Sequence, residues 1–382
     1  MPALTPQFVE SLALDAGFAT AGIAAVPAPG SPEDHEERAR FDAWVDAGHA
    51  GEMEYLKRRD DAGALLRSSV RIALPWARSV IVCAANYNSA EPRSTDPAPP
   101  DAGWIARYAW SSKGDRPSDY HKVLKRRLEA LRDQLTAALE PFESRCFVDT
   151  GPVVERVYAR YAGIGWTGKN TCILNQNLGS WLFLGVIVTS LDVAQPLAEL
   201  APDRCGSCTR CIDACPTQAL TGPRQMDATR CIAYLTIEKR SAIDEKLLPL
   251  IGRQVFGCDI CQDVCPWNRR APVAADPELT PRKALVNPAL EWLAEMDEPT
   301  WERWFNGSPV RRSRFSGFRR NLAVAMGNSG EHKFLPTLRR WAHDPDPAVS
   351  VSARWAVDRL DPGTPSPPAV SGPERQRAQP SK

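Results

Sequence analysis

Eight of the eleven cysteines of this 382-residue chain fall between Cys205 and Cys265, and their spacing restricts what the middle of the chain can be. They open as Cys205-x-x-Cys208-x-x-Cys211-x-x-x-Cys215-Pro216 and, after Cys231, close as Cys258-x-x-Cys261-x-x-x-Cys265-Pro266. In the first run, three near thiolates hold three irons of a [4Fe-4S] cube and the fourth cysteine reaches across to a second cluster. The second run repeats the pattern with its first ligand displaced to Cys231. Crossing the ligands gives one cluster Cys205, Cys208, Cys211 and Cys265, and the other Cys215, Cys231, Cys258 and Cys261, with none left over. Cys-x-x-Cys pairs also suit tetrahedral zinc. Zinc, however, explains neither a third cysteine at the same spacing nor the Cys-Pro that ends both runs. A segment of this kind is an electron wire, and the rest of the chain must contain what it feeds.

The length suggests two or three domains with a sizeable core, and a composition of 43% hydrophobic and 24% charged residues is ordinary for a soluble protein. A net charge of +1 means that any nucleic-acid contact has to come from a local patch. No apolar run approaches the roughly 18 residues that span a bilayer, and the amino-terminal residues carry neither a secretory nor a twin-arginine signal. No membrane partner is expected, and the clusters are expected in a reducing cytoplasm without disulfides. Cys83, Cys146 and Cys172 then read as small, buried apolar residues.

Along the chain, helices are expected over Thr5 to Ala16, Pro32 to Ala47 (with Phe41, Trp44 and Val45 on one face) and His121 to Leu139, and extended segments over Ala19 to Val26, Ser79 to Ala85, Cys146 to Val148 and Trp181 to Thr189. Strands separated by helices suggest an α/β layer, one sheet covered by helices. The expected organisation is a mixed α/β and α+β multidomain chain. Residues 1–200 form an α/β catalytic domain, 201–275 a ferredoxin-like module for two clusters, and 276–360 a helical domain. Asn321 to Asn328, Phe334 to His343 and Ala348 to Leu360 read as short amphipathic helices resembling a HEAT-type repeat, which cannot bury its own face alone. Residues 361–382 are rich in Pro, Ser, Gly and charge and read as a disordered tail.

The chemistry is densest in Val148-Asp149-Thr-Gly-Pro152-Val-Val-Glu155-Arg156 and in Ala162-Gly-Ile-Gly-Trp-Thr-Gly-Lys-Asn170. Asp149 ends an expected strand, where open α/β sheets bind ligands. It could equally be the cap of a helix beginning near Pro152. Gly163, Gly165 and Gly168 match Gly-x-Gly-x-x-Gly in letters, but they follow a helix instead of a strand. They are read as a loop approaching a large flat ligand.

Taken together with Gly51-Glu-Met-Glu-Tyr-Leu56, Gly179-Ser-Trp181 and the double ferredoxin motif, these segments resemble the epoxyqueuosine reductases, from about Phe8 to Leu360. The resemblance implies cobalamin, two [4Fe-4S] clusters and the last step of queuosine synthesis on tRNA, in which an epoxide loses its oxygen to leave an alkene. It implies Asp149 as proton donor, with Arg58, Asn170, Leu174, Gly185, Ala233 and the Cys258-Asp259 pair around the corrinoid. A raised pKa, supplied by burial against the corrinoid face, would suit Asp149 to that role. The sequence departs from the family in a lengthened link from Trp110 to Ser118.

Asp119-Tyr-His121 begins like the corrinoid lower-ligand motif Asp-x-His-x-x-Gly, but Leu124 stands where glycine is required. His121 therefore reads as a polar residue at a helix start, and a cobalt without a protein ligand below it is expected. Arg311, Arg312, Arg314, Arg319 and Arg320, interleaved with Trp304, Phe305, Phe315 and Phe318, could contact tRNA phosphates and unpaired bases. A solvated arginine-decorated helix face is the alternative. Lys239 and Arg240 could extend the patch. The further expectations are a monomer and an external low-potential electron donor. Two other readings remain: a corrinoid reductive dehalogenase, which resembles exported enzymes, and a ferredoxin-type carrier, which would not need the Asp149 segment.

Overall fold

A computed structural model describes residues 4–114, 116–193 and 199–363. All but the first three residues of the expected tail lie outside the described residues.

The amino-terminal region is a sheet covered on both faces. Thr5 accepts from the Phe8 amide and starts α1 (Pro6–Asp15); β1 (Thr20–Ala25) follows, and Ser31 caps α2 (Pro32–Asp46). Next come β2 (Ser79–Asn86), α3 (Tyr120–Ala138), β3 (Ser144–Phe147), α4 (Glu155–Tyr161) and β4 (Leu182–Thr189). The strand order is β1-β2-β4-β3, and every neighbouring pair is antiparallel. This corrects the expected α/β layer. Alternation of helix and strand in sequence fixes which elements form, while strand direction depends on which edges pair.

Successive residues of β2 point to opposite faces, and both faces are buried. Ile81, Cys83 and Ala85 pack with Leu124, Leu128, Leu131 and Leu135 of α3. Val80, Val82 and Ala84 pack with Tyr158 and Ala159 of α4. That is why the strand reads as a continuous apolar run and not as an alternation.

The lengthened link is a packed element. Trp110 is buried and donates from Nε1 to the Ile105 carbonyl at 2.8 Å, while Ser111–Lys113 pairs with both Arg116–Pro117 and Thr280–Pro281. Just before it, Trp104–Ile105 pairs in parallel with Gln254–Phe256 beside the second cysteine run. The carboxy-terminal helices are α5 (Arg314–Ser329), α6 (Leu335–Trp341) and α7 (Pro347–Leu360). The first begins seven residues earlier than its spacing suggested. They share one core with Trp104, Trp110 and Phe256, so the three regions interlock.

Arg320 and Asn321 of α5 are part of that lock. Arg320 is 0% exposed and donates to the carbonyls of Leu235, Lys239 and Ser241. Asn321 donates to those of Thr236 and Val255, both at 2.8 Å.

Candidate active site

The first four thiols of the crossed assignment share one space. Cys205, Cys208, Cys211 and Cys265 line one cavity of about 270 Å³, closed on one side by Trp267, whose ring meets Trp166 edge-on at 5.0 Å. Burial pushes the Cys258 thiol well above its ordinary value, and Cys231 and Cys215 push it further. Burial does the same to Cys261, followed by Cys172, Cys258 and Cys231. Thiols such as Cys258 and Cys261, whose ionisation is opposed by burial and by neighbouring thiols, become thiolates only against a cationic centre, which an iron-sulfur cube supplies. Among the described residues no three His, Cys, Asp or Glu side chains close on a single ion; the first set instead surrounds a space.

Asp149 lies in the loop between β3 and α4 with φ +58°, left-handed backbone that a non-glycine residue rarely holds. It does not cap α4, which starts at Glu155 without any side-chain cap. Its Oδ2 accepts from the Tyr120 hydroxyl at 3.3 Å and lies 3.8 Å from His121 Nε2, and its side chain is 70% exposed. Nδ1 of His121 is 2.8 Å from Asp119 Oδ1. Tyr120 stacks on Phe183 at 4.1 Å and on His121 at 4.0 Å, so sheet and helix together fix the hydroxyl.

In the chain alone, Asp149 does not carry the raised pKa that burial against a corrinoid would give it. Burial works to raise the Asp149 pKa, but His121, Arg156 and Tyr120 outweigh it and hold the carboxyl below its ordinary value. The proton sits on His121. Burial opposes its charge, yet hydrogen bonds to Asp119 and Asp149 raise its pKa to about 9. His121 is thus more than a polar residue at a helix start: it lies between two carboxylates. Sequence reasoning missed both this role and Tyr120. Glu155 differs from Asp149. Its Oε1 is buried without a partner, and burial, reinforced by Asp149, raises it to about 7.

The remaining candidate residues are spread around this arrangement. Asn170 and Leu174 line the cavity of the first thiol set, and Asn170 Nδ2 donates to the Cys261 carbonyl at 3.3 Å. The Ala233 amide serves Cys231, opposing the burial that raises its thiol. Asp259 is buried and accepts from Trp104 Nε1 at 3.0 Å and the Arg107 amide at 2.7 Å. Arg58 is exposed and makes no ion pair among the described residues. Gly185 sits inside β4, where a Cβ would come within 2.9 Å of Leu128 Cδ1; α3 needs that space. Gly165 answers to a neighbour too: a Cβ there would meet the Leu174 carbonyl oxygen at 2.1 Å, so the hairpin of Trp166–Thr167 with Ile173–Leu174 requires a glycine at this position.

The arginine patch shrinks. Arg320 is the buried lock described above, and Arg319 pairs with Asp344 at 2.6 Å and lies over Trp341. Phe305 and Phe318 are core. Lys239 pairs with Glu52 at 3.1 Å, and Arg240 donates to the carbonyls of Arg312 and Ser313. Arg311, Arg312 and Arg314 stay exposed. Arg312, paired with Glu238 at 2.8 Å, also lies over Tyr55, as Arg67 does.

A family model described as "Epoxyqueuosine reductase QueG, DUF1730" matches residues 67–150, and one described as "4Fe-4S double cluster binding domain" matches residues 204–268. The chain is 38% identical over 350 residues to the epoxyqueuosine reductase of Xanthomonas campestris pv. campestris, covering 91% of this chain and 94% of that one. It is similar to a solved epoxyqueuosine reductase holding a tRNA-Tyr epoxyqueuosine-modified stem loop, with TM-score 0.78, 28% identity, and 93% and 89% of the two chains covered. The Bacillus subtilis structure with its aspartate catalytic loop swung out of the active site gives TM-score 0.79 at 27% identity, covering 93% and 90%.

Proposed function

The chain belongs to the epoxyqueuosine reductase family, and from that premise we propose that Asp149, backed by the proton on His121, is the acid of a tRNA-directed epoxide reduction fed through the two thiol sets. The enzyme reduces epoxyqueuosine to queuosine in tRNA. Its cofactors are two [4Fe-4S] clusters and cobalamin. The observation that carries the acid assignment is the Tyr120–Asp149–His121 arrangement, in which a solvent-facing carboxylate is held in strained backbone beside a protonated imidazole.

The residues fit both groups. Eight thiols in two sets fit two cubes. A macrocycle fringed with amides needs polar atoms left without protein partners, and near Asp149 the buried Glu155 Oε1 is such an atom. The exposed guanidinium of Arg58 is a second candidate of the same kind. Cobalamin, when bound, would supply an electron-rich cobalt as the reducing centre for the epoxide. Loss of the epoxide oxygen as water takes two electrons and two protons, and the protons are the task of this chain's own side chains. Asp149, lowered in pKa, delivers a proton only when one is available beside it. His121 holds that proton through the neutral range and can pass it across the 3.8 Å contact as negative charge develops on the departing oxygen. Tyr120 donates to the same carboxylate oxygen and keeps it oriented. Asp149 holds a strained φ in the loop between β3 and α4, and the Bacillus subtilis relative has its aspartate catalytic loop swung out of the active site.

The remaining assignments belong to the same proposal. Arg58, Asn170, Leu174, Gly185, Ala233 and the Cys258-Asp259 pair stand as corrinoid-side positions, with Gly185 acting through the strand it belongs to. Residues 1–200 are the catalytic domain, 201–275 the cluster module, 276–360 a HEAT-like helical domain and 361–382 a tail. The helical-repeat reading is supported by α5 packing along α7. The surface of Arg311, Arg312 and Arg314 meets the tRNA, and the enzyme works as a cytoplasmic monomer with an external low-potential donor. No helix among the described residues is long and apolar enough to cross a membrane.

The test is conversion. Protein purified without oxygen, loaded with cobalamin and given a chemical reductant should convert epoxyqueuosine to queuosine in tRNA, read as a loss of one oxygen by nucleoside mass spectrometry. A fully loaded protein that leaves the epoxide intact contradicts the reading.

A further inference from the structure

The cavity of the first thiol set opens onto a basic surface in a chain whose net charge is only +1. Lys169, Arg204 and Arg210 line it alongside the cysteines. Arg204 and Arg210 are exposed and make no ion pair among the described residues. Arg269 and Arg270, exposed just beyond the wall residue Trp267, make none either. The Lys169 ammonium donates only to the Gly206 carbonyl, at 2.6 Å, so its charge stays uncompensated. Of the nearby acids, Asp203 is paired with Arg224, while Asp213, which accepts from Thr209 Oγ1 at 2.7 Å, and the exposed Glu199 keep their charges, so the basic side chains remain in excess. Leu200, 55% exposed, adds an apolar contact beside the basic ones.

The rim stands over the first set itself: Lys169, Arg204 and Arg210 share the cavity wall with Cys205, Cys208, Cys211 and Cys265, so a partner seated on the rim is placed directly against that set.

We infer that the rim formed by Lys169, Arg204 and Arg210 is the docking surface for a small acidic protein that carries single electrons. The inference rests on the cluster reading of the thiols. Each encounter passes one electron from the reduced carrier, which is oxidised by one electron, into the first cluster. Two such deliveries and two protons turn one epoxide into an alkene and one water. RNA also carries negative charge, but its epoxide has to reach Asp149, whereas an electron carrier has to reach the thiol set that this rim surrounds. Complementary charge speeds such encounters roughly tenfold or more and makes them fall with salt.

The experiment uses the full chain with both clusters reconstituted, an acidic flavodoxin reduced beforehand as the carrier, and bleaching of the cluster absorption in stopped flow as the readout. In the unaltered protein the second-order rate should fall steeply with ionic strength. In the variant Arg204→Glu, Arg210→Glu it should drop roughly tenfold or more and lose that salt dependence, while bleaching by photoreduced deazaflavin stays unchanged. Arg204→Gln, Arg210→Gln gives an intermediate rate and serves where charge reversal disturbs cluster loading. A salt-independent rate in the unaltered protein, or an unchanged rate in both variants, overturns the inference. So does a variant whose only loss is tRNA affinity, since the surface then belongs to RNA. Absence of iron from the unaltered protein would instead refute the cluster reading beneath it.

Discussion

Asp149 and His121 share one proton economy, and its sign can be worked out. His121 is raised from 6.5 to about 9, so the folded state gains from its charge at full strength below the unfolded value and loses that gain as pH rises through about 9. Asp119 and Asp149 are lowered from 3.8. Their contribution is present above that value and is lost as pH falls through the folded one. Between these limits the ion pairs hold. Stability and turnover should both decline on the alkaline side as pH approaches about 9. His121→Gln should flatten this limb of the unfolding profile, and the check is thermal unfolding of both proteins between about pH 6.5 and about 9. An unchanged limb in the variant would mean that another group titrates there. The eight cysteines were legible in the sequence because ligand spacing is imposed by the cube itself. The role of His121 was not, since it depends on a contact across 28 residues made only when the start of α3 meets the loop after β3.

At the scale of elements, periodicity located the helices and strands of the first region closely, because each buries a face whose period shows in the sequence. It said nothing of strand direction, and the sheet is antiparallel throughout. Leu128 is the residue on which this packing most depends. It is fully buried, and its methyl group occupies the space left by Gly185. Leu128→Ala should cost about 2–5 kcal/mol in denaturant unfolding and leave iron content unchanged. The arginine-rich segment was legible as charge but not as function, for a sequence does not say which guanidinium is turned inward. Arg320→Met should destabilise the protein, leaving three carbonyls short of a donor at about 1–3 kcal/mol each. It should not change the salt slope of tRNA binding in folded protein. Reversing Arg311, Arg312 and Arg314 to Glu should weaken tRNA binding and reduce that slope by about one per lost phosphate contact. Unaltered affinity in the triple variant would place the RNA elsewhere.

Across the whole molecule, the interlocking of the three regions ties the wire to the acid. Trp104–Ile105 pairs with the strand before Cys258, and Arg320 fastens α5 to the segment after Cys231. Cluster loss should therefore be local: Cys208→Ala should fall from about eight irons per chain to about four, measured by iron analysis after anaerobic purification, and keep the second cluster. The central claim is that Asp149 supplies the proton, and Asp149→Asn tests it most directly because amide and carboxylate have the same shape. Single-turnover epoxide reduction should be followed in protein with both clusters and cobalamin shown to be present and reducible. The account predicts a loss of roughly a hundred- to ten-thousandfold in rate, with cofactor loading and tRNA affinity unchanged. A fully loaded Asp149→Asn enzyme that turns over at the unaltered rate would contradict it and move the acid to another group, Glu155 first.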